Sequence, residues 1–229
     1  MVYENIFEAK FISRPNRFIA MIEIDGVLKK CHVKNTGRLR ELLTEGAEVY
    51  VQKSSNPDRK TEYDLICVRK GEELYNIDSQ APNVVLGEWL RSAGMFEDVK
   101  LIKPETKYNN SRFDFYVEYG NKKAFIEVKG VTLEKDGVMM FPDAPTERGV
   151  KHIYELIDCV ENGFEGYIVF VVQTEKGKYF TPNSDTHHEF ASVLKKASLN
   201  GVKIVCLNCY VGPDFLRIKG NIPVVIQEE

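Results

Sequence analysis

The sequence lacks every feature that would place the chain in or across a membrane. Its longest stretch without a charged residue runs from Ile204 to Pro213, ten residues, which is about half of what a membrane-spanning helix needs. The first ten residues include two glutamates and no apolar core, which argues against a secretory signal peptide. We therefore expect a cytoplasmic protein with no membrane partner.

Cysteine is scarce, and its distribution argues against a disulfide framework. Five cysteines, an odd number, are scattered over 229 residues, which is typical of a reducing compartment. Cys206 and Cys209 have CxxC spacing but lie within a β-like run from Val202 to Val211. Residues three apart on a strand point to opposite faces, so this pair cannot share a metal, and no second CxxC is present. The cysteines are therefore predicted to be structural.

The chain as a whole also has no large excess of positive or of negative charge. The net charge is −3, with 31 basic and 34 acidic residues, which gives no global attraction to nucleic acid. The distribution is uneven, because residues 10–40 carry eight basic and two acidic side chains, whereas residues 41–78 carry five and nine. Such a layout can build a positive face on a neutral domain, and the alternative is a solvated surface of mixed charge.

Residues 1–75 have the pattern of short strands separated by turns. The β-type runs are 18–24, 27–33, 48–52 and 63–68, and an Asp-Gly pair between the first two is a strong hairpin signal. One short helix is predicted from Arg38 to Leu43. Four or five short strands in this length predict a small barrel, either an OB-fold, which binds oligonucleotides, or an SH3-like barrel.

The pattern changes near residues 76–83, where a turn-rich linker precedes a helix that Asn83 is predicted to cap. We place a domain boundary there, with one domain over residues 1–80 and a second over 81–229. The run Tyr167 to Val172 is apolar on both faces, which is typical of a central strand covered by helices on each side. The second domain is therefore predicted to be α/β, with a sheet flanked by helices. Its predicted helices are 84–93, 146–161 and 185–200, its strands are 99–102, 112–118, 124–132, 167–173 and 202–210, and a last hairpin is predicted over 215–226.

Three residues on two predicted strands form the strongest candidate for chemistry. Glu127 and Lys129 are two apart on one strand, so they project from the same face. Asp114 lies on the preceding strand, and a Gly-Asn turn lets the two strands pair as a hairpin. Two other Glu-x-Lys triplets, at residues 8–10 and 105–107, lack this context. Two carboxylates and one ammonium are therefore predicted to meet at one end of a sheet.

This set of side chains suits the hydrolysis of a phosphodiester bond. Asp114 and Glu127 can hold Mg²⁺ or Mn²⁺, because hard cations prefer oxygen ligands. The metal lowers the pKa of a bound water and stabilises charge on phosphorus, while Lys129 orients that water or adds charge stabilisation. The alternative interpretation is a surface salt bridge between Lys129 and a carboxylate, worth about 0 to 1 kcal/mol.

Two predicted helices offer further polar side chains. In the first, Glu88 falls outside the apolar stripe, and an exposed glutamate without a function is the alternative. In the second, Arg148, Lys151 and His152 lie opposite the stripe, near the N-terminal end, where backbone amides favour a phosphate. We predict that these three side chains bind nucleic acid. In the basic N-terminal window, the residues predicted to bind nucleic acid are Arg14, Arg17, Lys34 and Arg38.

Four distinctive blocks of sequence carry a resemblance to a known family. They are Ser111-Arg112-x-Asp114, Phe125-Ile-Glu-Val-Lys-x-Val-Thr132, Phe141-Pro-Asp-Ala-x-Thr146 and Arg148-Gly-x-Lys-His-x-x-Glu-Leu156. Together they resemble the sugar fermentation stimulation protein A family. Weaker similarity over residues 14–20 and 35–37 extends the resemblance over nearly the whole chain. The chain departs from the expected pattern at Phe113, where the nuclease signature has proline, and at Asp78-Ser79, where the family has Asn-Thr.

The resemblance implies an N-terminal OB-like domain followed by a PD-(D/E)xK nuclease-like domain with a mixed sheet. It also implies that Asp114, Glu127 and Lys129 match the nuclease signature, and that Glu88 matches the acidic position of the first helix. Members of the family are described as DNA-binding, with a suggested role in regulating sugar (maltose) metabolism. Two functions stay open: a metal-dependent nuclease acting on DNA or RNA, and a non-catalytic DNA-binding regulator on a nuclease-like scaffold. The oligomeric state is also open, with a homodimer as one option.

Overall fold

The computed structural model describes residues 1–92 and 95–226, which contain fifteen strands and three helices. In chain order, these are β1 (Ile6–Asn16), β2 (Ile19–Ile24), β3 (Val27–Val33), β4 (Glu48–Lys53), β5 (Tyr63–Lys70), β6 (Glu73–Asn76), α1 (Ala81–Ser92), β7 (Val99–Tyr108), β8 (Ser111–Tyr119), β9 (Lys122–Val131), β10 (Leu133–Lys135), β11 (Val138–Phe141), α2 (Glu147–Glu161), β12 (Glu165–Val172), β13 (Tyr179–Pro182), α3 (His188–Leu199), β14 (Lys203–Val211) and β15 (Leu216–Asn221). Within these residues, no helix is both long and apolar enough to cross a bilayer.

The first five strands close into a barrel. Strand β1 pairs with β2 and β4, β2 pairs with β3, and β4 pairs with β5, all antiparallel, while a parallel pairing of β3 with β5 closes the ring. This is the five-stranded arrangement of an OB-fold, the first of the two predicted barrels. Asp25 and Gly26 both have positive φ, 50° and 76°, as the tight turn of the β2–β3 hairpin requires.

The predicted helix over residues 38–43 is wrong. Residues 40–42 form a turn, and Leu39 has a φ of 50°, which lies outside the right-handed helical region. Leu39 and Leu42 are instead buried in the core of the barrel. Their apolar spacing therefore reflects a loop that closes one part of the barrel core rather than one face of a helix.

The second half of the chain is built on a six-stranded mixed sheet with helices on both faces. The strand order is β15-β14-β12-β9-β8-β7, in which β9, β12 and β14 are parallel and the other pairings are antiparallel. Helix α1 covers one face, and α2 and α3 cover the other. The prediction of a central, doubly covered strand is confirmed, because β12 lies between β9 and β14 and is buried from Gly166 to its end. A separate three-stranded sheet joins β10, β11 and β13.

The two cysteines of the CxxC spacing lie on opposite faces of the sheet, as the strand periodicity predicts. Cys206 packs in the core beneath α2 and α3, whereas Cys209 packs in the core beneath α1. All five cysteines are free and buried. The CxxC spacing therefore arises because β14 contributes one cysteine to each of the two apolar cores that lie on its opposite faces.

Several predicted boundaries shift in the structure. Helix α1 begins at Ala81, so Asn83 lies in its first turn and is not its cap, while the predicted last residue Ala93 lies outside the described residues. Helix α2 begins at Glu147, one residue later than predicted, because Thr146 is its N-cap and its hydroxyl accepts a hydrogen bond from Gly149 N at 3.1 Å. The tail forms a single strand paired with β14, in place of a hairpin of its own.

The barrel and the second half of the chain meet through polar contacts, some buried and some exposed. Immediately after β12, Gln173 donates to Asn76 Oδ1 at 2.9 Å and to the Asp78 carbonyl at 3.0 Å. On the other side of the junction, Arg38 N donates to Asp143 Oδ2 at 2.9 Å. A Cβ atom on Gly37 would lie 2.6 Å from that same oxygen, so a larger residue there would displace the Asp143 carboxylate. The predicted boundary after residue 80 lies directly before α1.

Candidate active site

The candidate site lies where β8 and β9 stop pairing. Their antiparallel ladder runs from Tyr119 opposite Lys122 to Phe115 opposite Ile126, and it ends there. Beyond that point, the side chain of Asp114 takes the place of the partner strand, because its Oδ2 accepts a hydrogen bond from the backbone N–H of residue 128 at 2.7 Å. The carboxylate is therefore inserted between two separating strands.

Asp114 has an environment that favours its neutral form. Burial is the largest cause, the charge of Glu127 adds to it, and together they raise the pKa of Asp114 to about 6. Hydrogen bonds from Val128 N and from the Asn83 side chain, which donates to Oδ1 at 2.7 Å, act in the opposite direction. The sequence pattern missed Asn83, because an asparagine at the start of a helix is typical of a cap.

Glu127 is buried, with 3% of its surface exposed. Its two carboxylate oxygens differ in their hydrogen-bond partners. Oε1 accepts hydrogen bonds from Lys129 Nζ at 2.6 Å and from His152 Nδ1. Oε2 is buried and has no hydrogen-bond partner among the described residues. Burial alone would raise the pKa of Glu127, but the hydrogen bond from His152 and the charge of Lys129 outweigh it and lower that pKa. Glu127 is therefore an ionised carboxylate with one unused oxygen.

His152 is buried, with 4% of its surface exposed, so its predicted place on a polar helix face is corrected. This side of α2 packs over the end of β9, where Glu127 offers a polar partner. Because an ionised carboxylate only accepts hydrogen bonds, His152 Nδ1 carries the proton, and Nε2 then accepts from Arg148 Nε at 3.4 Å. Both ring nitrogens are thus engaged within the protein and are not available to a phosphate.

Glu88 reaches the neighbourhood of the site from α1. It lines a surface cavity of about 410 Å³ together with Asp114. Its side chain is exposed and forms an ion pair of 2.6 Å with the amino group of Met1. The structure therefore brings Glu88 to the same cavity as Asp114, with its charge paired to another group.

The four basic residues predicted to bind nucleic acid from the barrel divide into two pairs. Arg14 donates to four backbone carbonyls, at residues 17, 35, 37 and 38, so it braces two loops. Lys34 pairs with the buried Asp78 at 3.1 Å. Arg17 and Arg38 are exposed, and the Arg17 guanidinium lies 5.2 Å from the centre of the Phe18 ring. Only the second pair presents its charge on the surface.

Arg148 and Lys151 are exposed on α2, as predicted. Lys151 Nζ lies 3.4 Å from the carbonyl of Asn110 and 3.8 Å from Glu155 Oε1. In the part of the chain that the structure describes, the two terminal nitrogens of Arg148 have no hydrogen-bond or ion-pair partner. The two terminal nitrogens of the Arg148 guanidinium are therefore available to a ligand, while its Nε contacts the buried His152.

A cavity of about 190 Å³ lies between the barrel and the sheet. Its walls include Asn35 and Gly37 from the barrel and Gly130 from β9, the residue that follows Lys129. The junction of the two halves therefore opens beside the end of β9 that carries Glu127 and Lys129.

Both halves of the chain match described protein families. Residues 12–77 match the SfsA N-terminal OB domain, and residues 80–215 match the sugar fermentation stimulation protein RE domain. The sugar fermentation stimulation protein homolog of Clostridium beijerinckii is 55% identical over 226 residues, covering 99% of this chain and 100% of that protein. The homolog of Ruminiclostridium cellulolyticum is 54% identical and covers 98% of this chain and 99% of the relative.

A solved structure is similar to this one over nearly the whole length. The structure of Pyrococcus furiosus SfsA in complex with Ca²⁺ has a TM-score of 0.87 and 27% sequence identity, covering 99% of this chain and 98% of that chain. The match spans the barrel and the sheet together.

Proposed function

The chain belongs to the sugar fermentation stimulation protein family, and on that premise we propose that it is a divalent-metal-dependent nuclease that hydrolyses phosphodiester bonds of DNA or RNA. The observation that carries the proposal is the unpaired Oε2 of Glu127. A buried charged oxygen without a partner costs free energy, because the water it has lost is not replaced. A cation placed between Glu127 and Asp114 would supply the missing interaction.

The chemistry of the donor set fits a hard divalent cation. Asp114 and Glu127 offer carboxylate oxygens, the ligand type that Mg²⁺, Mn²⁺ and Ca²⁺ prefer. The relative from Pyrococcus furiosus is described in complex with Ca²⁺, which supports a divalent cation in this fold. A bound Mg²⁺ or Mn²⁺ supplies Lewis-acid stabilisation and a more acidic water.

The remaining residues of the site supply positive charge. Hydrolysis joins a water oxygen to phosphorus and breaks the bond from phosphorus to one sugar oxygen, which takes up a proton. Lys129, held beside Glu127, has ammonium protons that stabilise the negative charge growing on the phosphate oxygens. The free fork of Arg148 suits a second phosphate of the same strand, because a guanidinium binds phosphate through two parallel hydrogen bonds.

The surface of the barrel has features that suit the binding of nucleic acid. Arg17 and Arg38 present positive charge on its surface, and Phe18 beside Arg17 offers an aromatic face of the kind on which bases stack. Arg38 also lies at the junction with the sheet, because its backbone N–H donates to Asp143, a residue that lines the cavity between the two halves. Nucleic acid bound on the barrel would cross this junction to reach the sheet that carries the two carboxylates.

A cleavage assay tests the proposal. We expect the wild-type protein to cut labelled single- or double-stranded DNA or RNA with Mg²⁺ or Mn²⁺ and to stop when chelator is added. Glu127→Gln should slow cleavage by about 10²-fold or more, because it removes a charged group that acts on the transition state. The matched control is Glu8→Gln, the same change in an exposed Glu-x-Lys triplet on β1, which should cut like the wild type.

The same assay can favour the second function. If the wild type binds DNA but cuts no substrate with any divalent metal, the protein is a DNA-binding regulator, for which a role in sugar (maltose) metabolism is the family's suggested setting. Binding measured by filter retention in parallel separates this outcome from an inactive preparation.

A further inference from the structure

We infer that His152 is a positioning residue that connects a phosphate-binding side chain to a metal ligand. The inference rests on the proposed function and deepens it. The buried imidazole holds Glu127 through one ring nitrogen and Arg148 through the other. It thereby fixes which oxygen of Glu127 is offered to a cation and which nitrogens of Arg148 are offered to a phosphate.

The first half of the connection is the bond to Glu127. His152 Nδ1 and Lys129 Nζ both donate to Oε1, which leaves Oε2 as the unused oxygen. A carboxylate that was free to rotate could exchange its two oxygens or turn away from Asp114. A buried donor on Oε1 prevents this, and hydrogen-bond partners of this kind typically change metal affinity by about 10- to 100-fold.

The second half is the bond to Arg148. Its Nε donates to His152 Nε2 at 3.4 Å, one helical turn along α2. This uses the one guanidinium nitrogen that lies within the side chain and leaves both terminal nitrogens for a ligand. Holding the guanidinium in place lowers the entropy that a long, exposed side chain loses when it binds a phosphate.

Two substitutions at position 152 separate the two halves. In His152→Asn, the amide nitrogen takes the place of Nδ1, so the donor to Glu127 is kept and the acceptor for Arg148 is lost. In His152→Gln, the longer amide places its polar atoms near Nε2, so an acceptor for Arg148 is kept and the donor to Glu127 is lost. Mn²⁺ affinity of the metal-free protein is measured by calorimetric titration, and affinity for a DNA oligonucleotide is measured by anisotropy in chelator.

We expect opposite results from the two variants. His152→Gln should weaken Mn²⁺ binding by about 10- to 100-fold and keep its DNA affinity. His152→Asn should keep its Mn²⁺ affinity and weaken DNA binding, as Arg148→Ala does. Urea unfolding of each variant verifies that it is folded, and either variant alone still discriminates if the other does not fold.

The unfavourable outcomes point to different errors. If the wild type binds Mn²⁺ and both variants bind metal and DNA as it does, His152 positions neither group and only this inference fails. If both variants lose both affinities equally, His152 is a general packing residue and the inference also fails. If the wild type binds no Mn²⁺, the proposed function fails and the inference fails with it.

Discussion

Replacing Asp114 with asparagine should stabilise the metal-free protein while removing its response to metal. Burial and the charge of Glu127 raise the pKa of Asp114 from 3.8 to about 6, so at neutral pH the folded state holds a carboxylate that it disfavours. Each pKa unit corresponds to about 1.4 kcal/mol, so this ionisation costs up to about 3 kcal/mol of unfolding free energy. An asparagine is neutral and nearly the same size, which removes this cost.

The hydrogen bonds around position 114 allow the change. Asp114 Oδ2 accepts from Val128 N, a bond that the amide oxygen of asparagine can replace. Oδ1 accepts from Asn83 Nδ2, and the new amide nitrogen there requires the Asn83 amide to rotate by half a turn and present its oxygen. We therefore expect a net gain of about 1 to 3 kcal/mol in chelator at pH 7.

The sign of the pH dependence follows from the same pKa. Because the folded-state pKa of Asp114 lies above its ordinary value, the folded state binds more protons between pH 3.8 and about 6, and its stability falls as the pH rises through that window. The advantage of Asp114→Asn should therefore be absent below that window, grow across it and be complete above it.

Urea unfolding at a series of pH values, in chelator and in Mn²⁺, measures the stability gain of Asp114→Asn, its pH dependence and the response of each protein to metal. For the wild type, Mn²⁺ at about 100 times its dissociation constant should add about 2.7 kcal/mol, whereas Asp114→Asn should gain much less. A variant that is less stable than the wild type in chelator at pH 7 would refute the electrostatic reasoning. A variant that responds to Mn²⁺ as the wild type does would refute the metal site.

Three further predictions concern single side chains. Lys129→Ala should slow single-turnover cleavage by about 10²- to 10³-fold with little change in DNA affinity, because the ammonium acts on charge that develops only in the transition state. Arg148→Ala should weaken DNA binding and reduce the slope of log K against log[salt] by about one, measured by filter binding. Gly37→Ala should lower the free energy of urea unfolding by about 1 to 3 kcal/mol, because its Cβ would lie 2.6 Å from Asp143 Oδ2.

The sequence was sufficient to predict the pair of strands and the three residues they bring together. Alternation along β9 places Glu127 and Lys129 on one face, and the hairpin brings Asp114 to them, because strand geometry has a fixed period and short turns fix the register. The order of strands in the barrel was not predictable in the same way. Closure by β3 and β5 depends on pairing between residues about thirty apart, which local patterns do not encode.

Polar side chains were harder to interpret than apolar ones. The helical wheel placed His152 opposite the apolar stripe, but a buried polar partner on β9 makes that position interior. Arg14 contributed to a positive charge count, yet its guanidinium binds backbone carbonyls inside the fold. The sequence predicts Asn83 as a helix cap, whereas its side chain donates a hydrogen bond to Asp114. In each case the deciding contact is made to a distant segment, whose position the residue's own neighbours do not indicate.

The separation of Cys206 and Cys209 has a consequence for measuring local opening of the fold. Burial raises the pKa of both thiols, so neither reacts readily as a thiolate while it stays covered. Because Cys206 lies beneath α2 and α3 and Cys209 lies beneath α1, each thiol becomes reactive only when its own covering layer lifts. Thiol-labelling rates at these two neighbouring positions therefore report, in one molecule, the opening free energies of two separate layers.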